Sequence, residues 1–215
     1  RLMGPFKNDF GAGSSPILHG NMVILAQDHD QESFLEAFDK RTGKTLWRTD
    51  RSEFLRGYCT PVIWSSGGQD VIVVAGTLRI VGYDLASGKE VWTARGISRT
   101  VCMTPVVGAD GLLYAAGWSA EGDEGARIEV PPFDNIIKDL DKDANGKLEE
   151  GELPMGPIKE RFSQVDVNKD GSITRDEYER FRKLFQTSQN VVLAIRGGGK
   201  GDVSDSHVTW RNTKN

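Results

Sequence analysis

Two stretches of the 215-residue chain set oxygen-bearing side chains at alternate positions around a glycine. The first carries Asp141, Asp143, Asn145, Gly146, Lys147, Glu149 and Glu152; the second carries Asp166, Asn168, Asp170, Gly171, Ser172, Thr174 and Glu177. Counted from its leading Asp, each has an acid or amide at positions 1, 3 and 5, Gly at 6 and Glu at 12. An all-oxygen donor set of this kind suits a hard cation, and calcium takes about six to eight such ligands. Short Asp and Asn side chains reach an ion where the chain curls tightly, and Gly146 and Gly171 permit the bend. At position 7 the backbone carbonyls of Lys147 and Ser172 are the expected donors, which leaves their side chains free to vary. Glu149 and Thr174 at position 9 are expected to act directly or through water. Glu152 and Glu177 would close each loop bidentately, which favours calcium over the smaller, octahedral magnesium.

Helices must present these loops. Phe133, Ile136, Ile137 and Leu140 share one helical face before the first loop. Ile158, Phe162 and Val165 do so before the second, and Tyr178, Phe181, Leu184 and Phe185 after it. Leu148 and Ile173 hold position 8, where paired loops exchange a short β-bridge. The whole stretch, residues 131–186, resembles an EF-hand pair, and the resemblance implies two calcium ions held by the twelve ligand-position residues named above. Only 13 residues, 153–165, separate the loops, and Pro154, Gly156 and Pro157 stop the first outgoing helix. The pair is therefore more compact than a sensor such as calmodulin, and the expectation is a structural site rather than a switch. The first loop brings four carboxylates to ligand positions and the second three, so charge alone favours the first, with Lys142 and Lys147 near enough to offset the difference.

A repeat surrounds this stretch. Ala37, Phe38, Asp39, Gly43, Lys44, Leu46 and Trp47 return as Gly82, Tyr83, Asp84, Gly88, Lys89, Val91 and Trp92, at an offset of 45. Pro16 returns as Pro61 and then as Pro105, at offsets of 45 and 44. Between these anchors lie apolar runs, 22–26, 71–75 and 112–116, that read as strands buried on both faces. About four short strands in a ~45-residue period is the size of a propeller blade. The Asp-to-Lys segment is a tight turn, and the Trp that follows is expected to lie between neighbouring blades. These repeats resemble the tryptophan-docking units of pyrroloquinoline-quinone-type β-propellers over residues 10–118 and 189–215. That family includes quinoprotein dehydrogenases and an outer-membrane assembly lipoprotein. Trp-Asp propellers have a similar period, but Arg48 and Thr93 follow the tryptophans here.

The third unit starts at Thr104 and Pro105 without the Asp-to-Trp turn on schedule. Residues 190–195 read as its delayed third strand and 207–210 as its fourth, after an enlarged turn over 197–205. The expected organisation is therefore blades over 1–130, an EF-hand pair over 131–186 inserted in a blade, and a return to the interrupted blade over 187–215. The fold class is mainly β with an α insert, a partial β-propeller of about three four-stranded blades. The chain opens at Arg1 without a charged-then-apolar leader, and five residues follow Trp210. It reads as an excised piece whose remaining blades are its first partners.

Other chemistries find little footing. The net charge of -4 and the lack of a basic stretch exclude nucleic acid as the main partner, and no run reaches the ~18 apolar residues of a membrane-spanning helix. His19, His29 and His207 are isolated, and Ser14 and Ser15 lack the nucleophile-elbow glycines. The segment Gly197 to Gly201 fails the phosphate-loop spacing at Gly201. Asp28, His29, Asp30, Gln31 and Glu32 read as a solvated polar loop, and Cys59 and Cys102 as two buried, unpaired thiols, with a disulfide between neighbouring inner strands as the alternative. No catalytic constellation emerges. The leading expectation is a calcium-binding, non-catalytic scaffold or interaction protein, and the family resemblance implies an extracytoplasmic setting and a possible protein partner. A quinoprotein dehydrogenase and an envelope assembly factor are the alternatives, although pyrroloquinoline quinone itself is not expected in this piece.

Overall fold

The computed structural model describes residues 10–29, 32–119 and 129–213. The chain forms two compact units, residues 1–123 with 188–215, and residues 124–187. In chain order the first unit opens with β1 (Ile17–His19), β2 (Met22–Gln27), β3 (Phe34–Asp39) and β4 (Thr45–Asp50). A second set follows, β5 (Val62–Ser66), β6 (Gln69–Gly76), β7 (Arg79–Asp84) and β8 (Glu90–Arg95). A third begins with β9 (Val106–Val107) and β10 (Leu113–Gly117). The second unit then supplies α1 (Phe133–Leu140), β11 (Leu148–Glu149), α2 (Pro157–Glu160), α3 (Phe162–Val165), β12 (Ser172–Ile173) and α4 (Arg175–Thr187). The third set resumes with β13 (Val191–Ile195), β14 (Gly201–Asp202) and β15 (Val208–Asn212).

Each set makes a four-stranded antiparallel array, with orders β1-β2-β3-β4, β5-β6-β7-β8 and β9-β10-β13-β15, while β14 joins the second sheet as a fifth strand beside β8. This is a partial propeller of three blades. The delayed strand pairs as its pattern demands: Leu113 faces Ile195 and Gly117 faces Val191 across β10 and β13, although the second unit lies between them in sequence. Small polar groups close the neck of that interruption. The Ser119 amide donates to Asn190 Oδ1 at 2.7 Å, Asn190 Nδ2 returns a bond to the Ser119 carbonyl at 3.1 Å, and the Ser119 and Ser188 hydroxyls meet at 3.2 Å.

The two repeated turns form as the residues require. Asp39 Oδ1 accepts the amides of Arg41 and Thr42, and Asp84 Oδ1 accepts the amide of Ser87, while Gly43 and Gly88 take φ of 68° and 69°. In the third sheet the Arg196 amide donates to the His207 carbonyl at 2.9 Å, the bond that Asp39 makes to Lys44 and Asp84 to Lys89. The extra residues of this enlarged turn reach back to the second blade, where β14 pairs parallel with β8 through Gly201 and Trp92. Val203 adds an amide bond to the Thr93 carbonyl at 2.8 Å.

The tryptophans do not share one pose. Trp47 lies over Gly88 of the second blade and donates its indole N–H to the Leu85 carbonyl at 3.3 Å, as the inter-blade reading expects. A side chain at Gly88 would meet Trp47 at 2.4 Å. Trp92 turns back across Gly82 of its own blade and sets its edge against Trp64, 5.9 Å between centroids. Trp47 is paired instead with Ala37, whose methyl leaves no such bed. Trp64 makes the link onward, donating to the Gly111 carbonyl at 3.1 Å. Trp210 stands 44% exposed beside Tyr114.

The polar stretch read as a solvated loop is so at Glu32, which is exposed, but not at its start. Asp28 and His29 are buried, and Arg51 forks onto both Asp28 oxygens at 2.7 and 2.6 Å. Arg51 also donates to the Tyr83 hydroxyl and lies 3.9 Å over the Phe54 ring. Burial works against the guanidinium charge, but the carboxylate of Asp28 outweighs it and raises Arg51 above the ordinary value, while burial pushes the Tyr83 hydroxyl up to about 12. Charge clusters beside turns are ordinarily solvated, and here a partner 23 residues away draws this one inside. Gly76 passes so close that a Cβ there would meet Phe54 at 2.5 Å. The cysteines also differ from expectation: both are free, but only Cys59 is buried, and its burial raises the thiol to about 12, whereas Cys102 is exposed. Residues 30 and 31 of that stretch lie outside the described residues.

Two outcomes follow from these contacts. Arg51→Ala leaves the Asp28 carboxylate buried without its cation and lowers unfolding free energy by about 3–5 kcal/mol in urea titration, and Arg51→Lys, lacking the fork, does not restore it. The turn carboxylates Asp39 and Asp84 are held below the usual range first by the hydroxyls of Thr42 and Ser87. A depressed carboxylate stabilises the fold above its unfolded value and loses that contribution as pH falls through the folded one. An Asp39→Asn, Asp84→Asn variant therefore melts below the parent at neutral pH, and the gap closes in acid beneath the ordinary carboxylate range.

Candidate metal centre

The second unit has its own apolar core of Phe133, Leu148, Leu153, Val165, Ile173, Tyr178, Phe181 and Phe185. Apart from Leu153 these are helical-face residues and position 8 of each loop, and Ile136, Ile137, Leu140, Ile158, Phe162 and Leu184 pack around them half-buried. Phe133 and Tyr178 stack edge-on at 5.4 Å, which ties the incoming helix α1 to the outgoing helix α4. The Glu179 carboxylate caps the start of α1 by accepting the Phe133 amide at 2.8 Å. The incoming helix of the second loop is split into α2 and α3 at Arg161, where φ is -112°. No outgoing helix follows the first loop: β11 leads through a turn to Leu153 and Pro154, and α2 opens with Pro157 in its first turn.

Both loops have the same backbone. Position 4 is left-handed in each, Ala144 at 60° and Lys169 at 59°, and so is the glycine at position 6, Gly146 at 81° and Gly171 at 87°. The position-1 carboxylates bind the turn they open. Asp141 accepts the amides of Asn145 and Gly146 at 3.2 and 2.8 Å, and Asp166 accepts those of Asp170 and Gly171 at 3.2 and 3.0 Å. Each closing Glu reaches back to the loop start. Glu152 takes the Lys142 and Glu149 amides at 2.7 and 3.0 Å, and Glu177 takes those of Val167 and Thr174, both at 2.9 Å. Leu148 pairs with Ile173 and Glu149 with Ser172, joining β11 and β12 in the bridge that position 8 implies.

The loops differ in how their acids sit. In the first, ligand oxygens of Asp141, Asp143 and Glu152 lie within 4.8 Å of one another, the one such group of His, Cys, Asp or Glu among the described residues. Asn145 hydrogen-bonds Asp143 and Glu149 at 3.0 and 3.1 Å, which draws positions 3, 5 and 9 together. In the second, Asp170 is occupied by its own loop: Ser172 donates from Oγ at 2.7 Å and Asn168 from Nδ2 at 3.2 Å. The Ser172 hydroxyl is the main cause that lowers Asp170 to about 2. Thr174 bonds the Glu177 carboxylate through Oγ1 at 2.7 Å. Burial would raise Glu177, but the Thr174 amide and hydroxyl lead the bonds that keep it low. Glu152 is lowered by the amides of Glu149 and Lys142. These carboxylates are charged at neutral pH and fit a divalent cation bound through oxygen. Lys147 was the residue whose side-chain role the spacing left open, and its ammonium lies 3.4 Å from Asp170 in the other loop. Nothing in a linear pattern signals that contact, because it depends on the β11–β12 register.

Residues 158–181 match the EF hand. The flagellar P-ring protein of Marinobacter nauticus is 31% identical over 116 residues, which are 50% of this chain and 27% of that protein. The crystal structure of BamB from Moraxella catarrhalis overlaps 51% of this chain and 35% of its own, with a TM-score of 0.41 at 22% identity. The chain thus spans about a quarter to a third of the length of these relatives. Residues 1–122, more than half of the sequence, match the PQQ-repeat family described as outer membrane protein assembly factor BamB, and the chain belongs to that family.

Proposed function

We propose that this chain is a calcium-stabilised propeller scaffold of the cell envelope, in which blades over residues 1–130 and 187–215 carry an EF-hand pair over 131–186. The observation that carries the reading is the convergence of Asp141, Asp143 and Glu152 within 4.8 Å in a loop locked to its partner by the Leu148–Ile173 bridge. Three like charges so close repel one another, and a divalent cation converts that repulsion into attraction. Asn145, the Lys147 carbonyl and Glu149 complete the first donor set. Asp166, Asn168, Asp170, the Ser172 carbonyl, Thr174 and Glu177 make the second. The ions serve structure rather than signalling: the first loop has no outgoing helix to swing, and the helix entering the second is already broken at Arg161.

The extracytoplasmic setting rests on the family description, which names the outer membrane, and on a relative named for the flagellar P-ring. The same description favours a second reading, an envelope protein-assembly factor that works through a protein partner. No helix among the described residues is long and apolar enough to cross a membrane. Pull-down from envelope extracts, followed by identification of what is retained, separates a factor with a defined client from a scaffold that only assembles with its own blades.

Calcium at millimolar concentration gives the parent chain a heat of binding and a higher melting temperature, and both vanish in an Asp141→Ala, Asp166→Ala variant. No heat and no thermal shift in the parent would remove the reading altogether. Across the same titration the fluorescence of a hydrophobic dye stays nearly flat. A large gain at micromolar calcium would replace the structural role with a switch.

A further inference from the structure

Lys147 belongs to both loops at once. Its amide donates to Asn145 Oδ1 at 2.8 Å, which fixes position 7 of the first loop, where the backbone carbonyl is the ligand. Its ammonium leaves that loop and lies 3.4 Å from Asp170 Oδ2, the position-5 carboxylate of the second. The neighbouring bridge sets this reach, because Leu148 is held opposite Ile173 and Glu149 opposite Ser172. The second loop does not return the gesture. Its own position 7 is Ser172, whose hydroxyl turns inward to Asp170 Oδ1. In the first loop the acids of Asp141, Asp143 and Glu152 lie within 4.8 Å of one another, and the charge of Lys142 acts on Glu152 from within the same loop.

We propose that Lys147 is a built-in competitor for the second metal site, which it holds in a weaker, later-filling state while it stabilises the pair without metal. This rests on the calcium reading above. A fixed positive charge beside Asp170 does two opposite things. Without metal it offsets the crowding of acids and holds the β11–β12 register. With metal it repels the incoming dication and shares a carboxylate that the ion requires. The first loop, where three acids crowd one another and only the charge of Lys142 acts on Glu152, fills first. The side chain of Lys147 is not itself a ligand, so replacing it changes this balance while every ligand-position oxygen remains.

The test is Lys147→Gln in the full chain, measured by calcium calorimetry and by melting in chelator, with Asp141→Ala and Asp166→Ala used to assign the two binding steps. The second-site affinity is expected to rise by about two- to fivefold, the range set by partly exposed ion pairs, while the first changes little. In chelator the same variant melts lower than the parent, an opposite sign that loss of packing alone does not produce. An added 0.5 M of sodium chloride shrinks both differences. If the parent binds calcium and Lys147→Gln leaves the spacing of its two affinities unchanged, the competitor role is wrong and the calcium reading stands. If the variant melts as high as the parent in chelator, the stabilising half is wrong. A parent that binds no calcium overturns both readings.

Discussion

A sheet with apolar side chains on both faces has to be covered twice, and the propeller part of this chain is organised by that requirement. Among the described residues the second blade lies between two others, and the last six residues of β6 and the first five of β7 are all buried. In β2 and β10, the second strands of the flanking blades, only alternate residues are buried, whereas the third strands are buried over consecutive residues, Phe34 to Ala37 in β3 and Leu193 to Ile195 in β13. The same composition of strand thus meets two environments. Most of what distinguishes the blades from one another happens at these junctions. Trp47 seats on a glycine turn, Trp92 folds back on Gly82, and β14 adds a parallel pair where the third turn is too long to be a simple hairpin.

Polar groups at the junctions decide which surfaces can face each other. Arg51 reaches from the end of the first sheet between Asp28 and Tyr83, with Phe54 beneath its plane. A fully buried pair gives little net stability when measured against an apolar substitute of the same size. It is nonetheless unforgiving, because any other arrangement of the two blades strands a charge. Its geometric demand for both carboxylate oxygens at 2.6–2.7 Å fixes an orientation that apolar contact alone would leave loose.

The repeats and the loops were legible because each is a local code. An Asp followed by a hydroxyl residue and Gly makes its turn from its own neighbours, and a 12-residue loop carries its donors in order. The delayed strand at 191–195 was equally readable, since its apolar run had to complete the sheet that 113–117 began. What escaped was non-local. The burial of Asp28 depends on Arg51, which is 23 residues away and in another element. The pose of Trp92 depends on Gly82, where the preceding repeat has Ala37, a difference of one methyl group. The exposure of Cys102 depends on a loop rather than a strand. Position 7 of an EF-hand loop is silent about its side chain, so the reach of Lys147 could not be read before the register of β11 and β12 was known.

The two loops answer the same electrostatic problem differently. Both hold several carboxylates in a tight curl, and both turn backbone amides inward to make those charges tolerable. In the first loop Asn145 adds side-chain bonds to Asp143 and Glu149, and the acids of Asp141, Asp143 and Glu152 still lie within 4.8 Å of one another. In the second, Ser172, Asn168 and Thr174 add side-chain donors and Lys147 adds a charge from outside. A cation entering the first loop relieves repulsion that is already present. A cation entering the second must displace bonds that are already made, and the free energy of those bonds is subtracted from its own. Identical spacing and matching left-handed turns therefore do not imply identical affinity. The difference lies in side chains that are not ligands, and the bridge between the loops makes the first site a neighbour of whatever happens in the second.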